Sequence, residues 1–195
     1  MPDDPRAWMQ QQLFERRVVL LSGTLDAQSC HEVGAALMTL DAIGDEPVNL
    51  QIDCEGGTLD EALALMDIID LLGVPVRASC VGQATGTAVG VLAVASHRSM
   101  SPHARLRLVE PSSAMHGRAS QIEQLASAHA DQWRAFCTRL SEATGRPLDR
   151  LLADTAGGRY LSPDEALDYG LIDEVARPDA RIYRMPGRTF GFTPR

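Results

Sequence analysis

The stretch from residue 48 to residue 72, VNLQIDCEGGTLDEALALMDIIDLL, holds the signals that decide the fold. It begins with an aliphatic run of strand length, Val48–Asp53, and a glycine pair follows this run. Thr58 is then placed to cap a helix, which Gly73 and Pro75 end. The apolar residues of this helix recur at helical spacing: Leu59, Leu63, Met66, Ile69 and Leu72. The stretch therefore predicts a strand, a tight glycine turn and an amphipathic helix.

The same alternation of strand and helix patterns continues on both sides of this unit. Further strands are predicted at Arg17–Leu21, Val76–Val81, Leu106–Val109 and Leu171–Val175. Further helices are predicted at Asp26–Leu40, Ala84–Ala95, Ala119–Ala143 and Ser162–Tyr169. Alternating strands and helices form mostly parallel sheets whose crossover connections are right-handed. The sequence thus predicts an α/β layered fold built of βα units.

The composition excludes several classes of protein. A chain of 195 residues with 45% hydrophobic and 23% charged residues is typical of one globular domain. The net charge of −8 argues against non-specific binding to nucleic acid or to an anionic membrane surface. The longest apolar run, Ala88–Ala95, is too short to span a bilayer, and no secretory signal is evident. We therefore expect a cytoplasmic protein with no membrane and no nucleic-acid partner.

Neither the cysteines nor the histidines have the spacing of a metal site. The four cysteines form no CxxC pair: Cys30, Cys54, Cys80 and Cys137. We expect them to be reduced residues of the core, without disulfides. His97, His103 and His116 also lack the spacing of zinc ligands. The sequence predicts no metal and no cofactor.

The last twenty residues differ in charge from the rest of the chain. Five arginines and one aspartate give residues 176–195 a net charge of +4, which leaves −12 on residues 1–175. The segment also contains prolines, glycines and five larger apolar residues: Ile182, Tyr183, Met185, Phe190 and Phe192. We expect an irregular tail that packs against its own subunit or an adjacent one. A solvated, disordered end is the alternative.

Two glycine-bearing turns join predicted strands to predicted helices, one at Glu55–Thr58 and one at Gly82–Thr87. Backbone N–H groups at such turns can bind an oxyanion or a phosphate, because they lie at the positive end of the helix dipole. Neither turn fits the P-loop or the dinucleotide-binding pattern. Glycine pairs at turns commonly serve only to adopt a positive φ, so the turns alone identify no function.

Several motifs, in the same order, resemble the family of the Clp protease proteolytic subunit (ClpP). They are Leu13–Val19 (LFERRVV), Gly23, Gly56-Gly57, Cys80–Ala84, Pro102, Pro111, Ala143–Gly145 and Leu161–Ala166. The most specific is Asp168–Asp173 (DYGLID), near the family's C-terminal signature. The resemblance implies the ClpP/crotonase-like fold with a protruding long handle helix. It divides the chain into a divergent N-terminal segment (1–12), a ClpP-like domain (13–175) and a basic, irregular tail (176–195).

The resemblance also implies where a Ser-His-Asp triad would stand, and this chain has none of its three members. Gly86 stands at the position of the serine, Val109 at that of the histidine and Gly158 at that of the aspartate. Glycine and valine cannot attack a carbonyl, transfer a proton or hold an imidazole in one tautomer. The backbone N–H groups of Gly57 and Thr87 match the family's oxyanion hole. We expect these amides to remain, because they need no particular side chain.

The long predicted helix is a candidate for oligomer contacts. Its central part, Gln121–Ser141, matches the handle that in the family interdigitates with the opposing ring of a double heptamer. A projecting handle would expose Trp133 and Phe136, so we expect these aromatics to anchor oligomerisation. The alternative is an amphipathic helix packed on its own domain.

The resemblance implies three kinds of partner. They are further copies of this chain, active ClpP paralogues and an AAA+ ATPase. In the family, a longer apolar and basic N-terminal segment forms the axial loops that meet the ATPase, and residues 1–12 do not match that segment.

Together these observations predict a non-catalytic ClpP-like pseudo-protease subunit that assembles into homo- or hetero-oligomeric rings of a Clp-type system. Two alternatives stay open. An active serine-type hydrolase with a relocated nucleophile needs a Ser or Thr hydroxyl to meet a histidine in space. A crotonase-type acyl-thioester enzyme needs acidic groups near the glycine turns, where Glu55 alone is found.

Overall fold

The computed structural model describes residues 5–114 and 116–176. In chain order these residues form α1 (Pro5–Glu15), β1 (Val18–Leu25), α2 (Ala27–Ile43), β2 (Val48–Gly57), α3 (Leu59–Leu71), β3 (Val76–Thr85), α4 (Thr87–Ala93), β4 (His97–Met100), β5 (Arg105–Leu108), α5 (Ala119–Thr144), α6 (Leu148–Ala156), β6 (Arg159–Leu161), α7 (Pro163–Tyr169) and β7 (Glu174–Val175). The predicted docking of the tail falls, apart from Ala176, on residues outside those described. None of the described helices combines the length and the apolarity that a membrane span requires.

The strands form one mostly parallel sheet. Its order is β1-β2-β3-β4-β7, and each pair of neighbours in this path is parallel. β5 continues the sheet by pairing in parallel with the carboxyl end of β3, and β6 pairs antiparallel with β5. The predicted α/β layered fold is confirmed.

Helices cover one face of the sheet, and the other face carries polar residues. Along β2 buried and exposed residues alternate, with Leu50, Ile52 and Cys54 fully buried and the residues between them exposed. On the buried face α2 packs against β1, and α4 packs against β2 and β3. This alternation is the pattern of a sheet with one solvated face. The exposed face therefore leaves side chains at the strand ends accessible to solvent.

Side chains cap the starts of three helices, and the sequence predicts the cap at Thr58. The Asp26 side chain accepts the Ser29 N–H at the start of α2 (2.9 Å), and the Thr58 hydroxyl accepts the Glu61 N–H at the start of α3 (3.4 Å). At α7, Ser162 and Glu165 form a reciprocal capping box. These bonds satisfy N–H groups that have no partner inside the helix.

The central helix α4 is shorter than its apolar pattern indicates. The pattern predicts a helix from Ala84, but β3 runs to Thr85 and Gly86 then adopts a φ of +54°. Glycine tolerates this left-handed backbone, and the helix begins only at Thr87. Every residue of α4 is buried, as expected for a helix that is apolar all round.

Four elements are not predicted by the sequence patterns: α1, β4, α6 and β6. β4 (HRSM) and β6 (RYL) are short and contain neither an aliphatic run nor a clear alternation of apolar and polar residues. α1 lacks a clear apolar stripe, and it crosses the predicted segment boundary between residues 12 and 13. Residues 5–12 are therefore continuous in secondary structure with the domain that follows.

The prediction that Trp133 and Phe136 are exposed is wrong. Trp133 is 6% exposed and Phe136 is fully buried, and their rings stack with centroids 5.2 Å apart. Phe136 packs so closely on Gly90 of α4 that a side chain at residue 90 would collide with its ring. The carboxyl half of α5 thus packs on its own domain, and these aromatics offer no surface to a second copy.

The amino half of α5 does project from the domain. No residue between 119 and 132 is buried. Ile122 is 37% exposed and Leu125 is 48% exposed, and both lie on this projecting half. The predicted handle is therefore divided into an anchored half and a free half.

Arg98 on β4 ties the last elements of the domain together. Its guanidinium donates to both Asp173 carboxylate oxygens (Nη2–Oδ1 2.6 Å, Nε–Oδ2 3.2 Å) and to the carbonyls of Ala143 (3.1 Å) and Gly170 (2.9 Å). The Arg98 backbone N–H also donates to Asp173 (2.7 Å). Side-chain hydrogen bonds from Arg98 hold the pKa of Asp173 below its ordinary value, although partial burial opposes this.

Candidate functional site

The two glycine turns lie side by side at the carboxyl ends of β2 and β3. A Cβ on Gly56 would stand 2.5 Å from the Thr85 carbonyl oxygen, and one on Gly57 would overlap the Leu25 carbonyl. Only glycine allows the backbones of β1, β2 and β3 to approach this closely. The strand ends and residues 110–114 line an open cleft of about 770 Å³.

The structure brings Gly86, Val109 and Gly158 together beside this cleft. A Cβ on Gly86 would lie 3.2 Å from the Val109 carbonyl oxygen and 3.5 Å from its Cγ1. A Cβ on Gly158 would lie 4.0 Å from Val109 Cγ2. The three positions form a row with Val109 in the middle. No side chain in this row can act as a nucleophile or a base.

The Thr87 hydroxyl accepts the N–H of Gly57, one of the two amides that match the family's oxyanion hole. The Gly57 N–H donates to Thr87 Oγ1 at 2.9 Å, and this hydroxyl donates to the Gly57 carbonyl at 3.3 Å. Thr87 is fully buried, so water does not compete for these bonds. The Gly57 amide is present, and its N–H already has an internal acceptor.

Arg107 on β5 lies beside the same row and was not singled out by the sequence. Its guanidinium stands over the Tyr160 ring, 5.0 Å from the centroid. A Cβ on Gly158 would be 3.5 Å from Arg107 Nη2 and 4.0 Å from Nε. The alternation of arginine and leucine in RLRL (105–108) signals a strand with one polar face, but not what that face meets.

Arg107 also lines a second cavity of about 310 Å³ next to the cleft. The polar residues around this cavity are Glu55, Gln83, Thr85, Arg105, Arg107 and Tyr160. They come from cross-strand neighbours, because Thr85 pairs with Arg107, Arg107 with Tyr160, and Gln83 with Arg105. The cavity and the cleft share Glu55, Thr85 and Arg107.

One serine hydroxyl meets a histidine within the part of the chain that the structure describes. Ser113 Oγ lies 3.4 Å from His129 Nε2, beyond the 2.6–3.2 Å range typical of a working nucleophile and base, and the contact is exposed. The sequence neighbours Ser96 and His97 do not pair, since Ser96 donates to the Val76 carbonyl (2.7 Å) and His97 contacts Glu174 (3.1 Å).

Asp154 has a structural role rather than a catalytic one. Its carboxylate accepts from the Tyr169 hydroxyl (2.8 Å) and from Arg159 (3.2 Å), and Arg150 lies 3.3 Å away. Partial burial opposes ionisation, but the Tyr169 hydrogen bond and the two arginines hold the pKa of Asp154 below its ordinary value. This network joins α6, β6 and α7 behind the site.

The cysteines have the character of inert core residues. All four are free thiols, and three of them are buried: Cys54, Cys80 and Cys137. Burial raises the pKa values of Cys80 and Cys137 to about 12, so both stay protonated at neutral pH. Across residues 5–114 and 116–176, no cluster of His, Cys, Asp and Glu side chains is arranged to hold a metal ion.

Two comparisons with known proteins bear on this site. A protein-family model described as Clp protease matches residues 5–179, a range that includes every residue of the cleft. A curated relative, described as ATP-dependent Clp protease proteolytic subunit 1 from Nocardia farcinica, is 34% identical over 169 residues. This alignment covers 85% of the present chain and 86% of the relative.

Proposed function

The chain belongs to the Clp protease family, and we propose that within this family it is a non-catalytic subunit of a ring-shaped proteolytic assembly. The observation that carries the proposal is the row formed by Gly86, Val109 and Gly158. By resemblance these are the positions of the family's serine, histidine and aspartate. Their backbones adjoin as a triad requires, but their side chains supply neither attack nor proton transfer.

The hydrogen bond between Gly57 and Thr87 supports the same proposal. An oxyanion hole stabilises a transition state only if its N–H groups are free to donate to the developing charge. Here the Thr87 hydroxyl accepts the Gly57 N–H at 2.9 Å. The cleft therefore lacks a nucleophile and a base, and one of its two expected oxyanion donors is engaged.

The projecting half of α5 supports the assembly of rings. Members of the family typically oligomerise and work with Clp ATPases. In this chain the free half of the handle, residues 119–132, exposes Ile122 and Leu125 in place of Trp133 and Phe136. Exposed apolar side chains on a projecting helix favour a contact with another subunit. We assign the contact between opposing rings to this half, in homo-oligomers or in mixed rings with active paralogues, heptameric by resemblance and located in the cytoplasm.

A second candidate function rests on the contact between Ser113 and His129. Both residues are near the cleft, and Ser113 lines it. If the dyad were productive, the chain would be a serine-type hydrolase with a relocated nucleophile. The distance of 3.4 Å between Ser113 Oγ and His129 Nε2, and the exposure of this contact, favour an ordinary surface contact. A crotonase-type enzyme has no such supporting observation.

Hydrolysis of short fluorogenic peptides distinguishes these candidates. We expect the purified full chain to show no turnover above a buffer control, while a Clp proteolytic subunit with an intact triad is active in the same assay. The Ser113→Ala variant is measured beside it. Turnover by the wild-type chain that disappears in Ser113→Ala would establish the second candidate and overturn the first.

A mass measurement tests the assembly separately. In light scattering at micromolar concentration we expect the wild-type chain to have the mass of two stacked rings. The double variant Ile122→Asp, Leu125→Asp should have a smaller mass, because charges replace apolar contacts. Gln124→Asp, on the same exposed half, is the matched control and should keep the wild-type mass. A monomeric wild-type chain would contradict the assembly as a homo-oligomer, and a mixture with an active paralogue then tests the mixed ring.

A further inference from the structure

The guanidinium of Arg107 has a donor that the chain does not use. Its Nε is buried and has no hydrogen-bond acceptor, and it is the one buried side-chain polar atom in this condition among the described residues. Buried polar groups in folded proteins are hydrogen-bonded as a rule, so an exception calls for an explanation. The residue that carries this exception lines both the cleft and the second cavity, which points to a ligand.

The charge around Arg107 favours an anion. Arg105 and Arg107 are two residues apart on β5, so both side chains leave the same face of the sheet. Neither of them forms a salt bridge within the described part of the chain. Glu55 is the one carboxylate that lines the cavity with them. The cavity thus has an excess of positive charge, although the chain as a whole carries −8.

The shape of the site favours a carboxylate. A Cβ built on Gly158 would lie 4.0 Å from Arg107 Nε and 3.5 Å from Nη2, so this edge of the guanidinium borders the space that glycine leaves open. This edge of a guanidinium holds the two oxygens of a carboxylate in a planar, bidentate pair. The Tyr160 ring supports the guanidinium from one side and holds it in place.

The adjoining space favours a peptide as the carrier of that carboxylate. The cavity of about 310 Å³ opens beside the cleft of about 770 Å³, and Thr85 and Arg107 line both. A carboxylate against Arg107 would leave the rest of an extended chain to lie in the cleft, along the ends of β2 and β3.

We propose that Arg107, assisted by Arg105 and Tyr160, binds a peptide carboxylate in this cavity. The carboxylate is a free C-terminus or an acidic side chain, which have the same chemistry. The proposal concerns binding alone and holds whether or not the chain cleaves peptides, so its test and the test of the proposed function fail independently.

The direct test measures the binding of labelled pentapeptides by fluorescence anisotropy. The probes share one neutral sequence, with a free C-terminus, with an amidated C-terminus, or amidated with one internal glutamate. We expect the free-acid or the glutamate peptide to bind about tenfold more tightly than the neutral amidated peptide, as a charge-assisted bidentate pair supports. Whichever of the two binds identifies the source of the carboxylate. Equal affinity for all three peptides would overturn the proposal.

Variants of Arg107 test the residue itself. Arg107→Gln should abolish the preference for the acidic peptide, and Arg107→Lys should keep only part of it, because lysine lacks the planar fork. Arg105→Gln should reduce the affinity by less. An unchanged preference in Arg107→Gln would contradict the assignment.

A matched pair at Gly158 keeps the test valid if Arg107 variants fold poorly. Gly158 has a φ of +67°, and Asp and Asn are the side chains that best tolerate this backbone. Gly158→Asp places a carboxylate of the chain itself beside Arg107. This carboxylate should compete with the acidic peptide and lower the affinity for it about tenfold. Gly158→Asn has the same shape without the charge and should retain binding. Equal binding by the two variants would overturn the proposal.

Discussion

Arg98 and Arg107 are both largely covered arginines on strands of the same sheet, and the chain uses them in opposite ways. Four acceptors surround the guanidinium of Arg98: two carboxylate oxygens and two carbonyls. The guanidinium of Arg107 has a buried Nε with no acceptor. An arginine whose side chain makes four hydrogen bonds within its own chain holds elements together, whereas one with a buried donor that has no acceptor is available to something outside the chain.

The same difference separates two regions of the molecule. The anchored region comprises Arg98, its partners and the carboxyl half of α5, where buried side chains contact one another. The cleft region comprises the glycine turns, Val109, Gly158 and Arg107, where space and a donor remain free. The first region maintains the fold, and function is to be sought in the second.

The largest expected effect on stability comes from removing the buried Trp133 side chain in the anchored region. Trp133→Ala should lower the free energy of unfolding by about 3–5 kcal/mol, because it removes a buried indole stacked on Phe136. Urea denaturation measures the loss. Arg134→Ala, on the exposed side of the same helix, should change the stability by no more than about 0.5 kcal/mol. If Trp133→Ala instead left the stability intact and dissolved an oligomer, its burial in the subunit would be refuted.

Matched substitutions of the two arginines compare the regions directly. Arg98→Met should lower the free energy of unfolding by about 2–4 kcal/mol, because Asp173 and two carbonyls lose their donor. Arg107→Met should change it by less than about 1 kcal/mol, since it removes a donor that has no acceptor. Equal losses in the two variants would show that Arg107 is structural too.

The pH dependence of stability should show the same contrast on a smaller scale. Hydrogen bonds from Arg98 lower the pKa of Asp173 in the folded chain. The ionised Asp173 carboxylate therefore adds its full share to the free energy of unfolding above the pKa that it has in the unfolded chain. This stabilisation is lost as the pH falls through the lower pKa of the folded chain. Asp173→Asn should therefore be less stable than the wild type at pH 7, by about 1 kcal/mol for a carboxylate this exposed.

The difference in the free energy of unfolding between the wild type and Asp173→Asn should shrink at low pH, because a protonated Asp173 carboxyl has no charge to pair with Arg98. The difference between the wild type and Arg107→Met should stay constant between pH 7 and pH 3, since none of the carboxylates that the structure describes forms a salt bridge with Arg107. A gap for Asp173→Asn that widened in acid would have the wrong sign for this account.

The smallest expected effect is that of restoring the serine alone. A Cβ on Gly86 would stand 3.2 Å from the Val109 carbonyl oxygen, so Gly86→Ser needs a small local shift and also places a side chain on a backbone with a φ of +54°. It should not produce peptidase activity, because Val109 and Gly158 supply no base and no carboxylate. A fluorogenic peptide assay measures the outcome, and Gly86→Ala is its control. Activity in Gly86→Ser but not in Gly86→Ala would reveal a base that the structure does not show.

Sequence patterns predict the elements that have their own local signals. The strand, turn and helix of residues 48–72 are recognisable because alternation, glycines and a capping threonine agree within one short stretch. β4 and β6 are not recognisable, because strands of four and three residues form only when a neighbour is present. Periodicity also places Trp133 and Phe136 on one stripe of α5 without showing that α4 covers that stripe.

The candidate site likewise has residues that the sequence indicates and contacts that only the structure shows. Resemblance in sequence indicates Gly86, Val109 and Gly158, and the structure shows that they adjoin. The bond between Gly57 and Thr87 joins residues thirty positions apart, and Arg107 meets Gly158 across fifty-one positions. No local pattern reports such contacts, because they depend on how parallel strand ends come together.

The central claim is that this member of the Clp protease family has no working nucleophile. The most direct measurement is incubation of the purified chain with a fluorophosphonate probe, followed by the mass of the intact protein, beside a Clp proteolytic subunit that has a Ser-His-Asp triad. We expect the subunit with the triad to gain the mass of one label and this chain to keep its mass. Stoichiometric labelling of any serine in this chain, with Ser113 the first to be mapped, would contradict the claim.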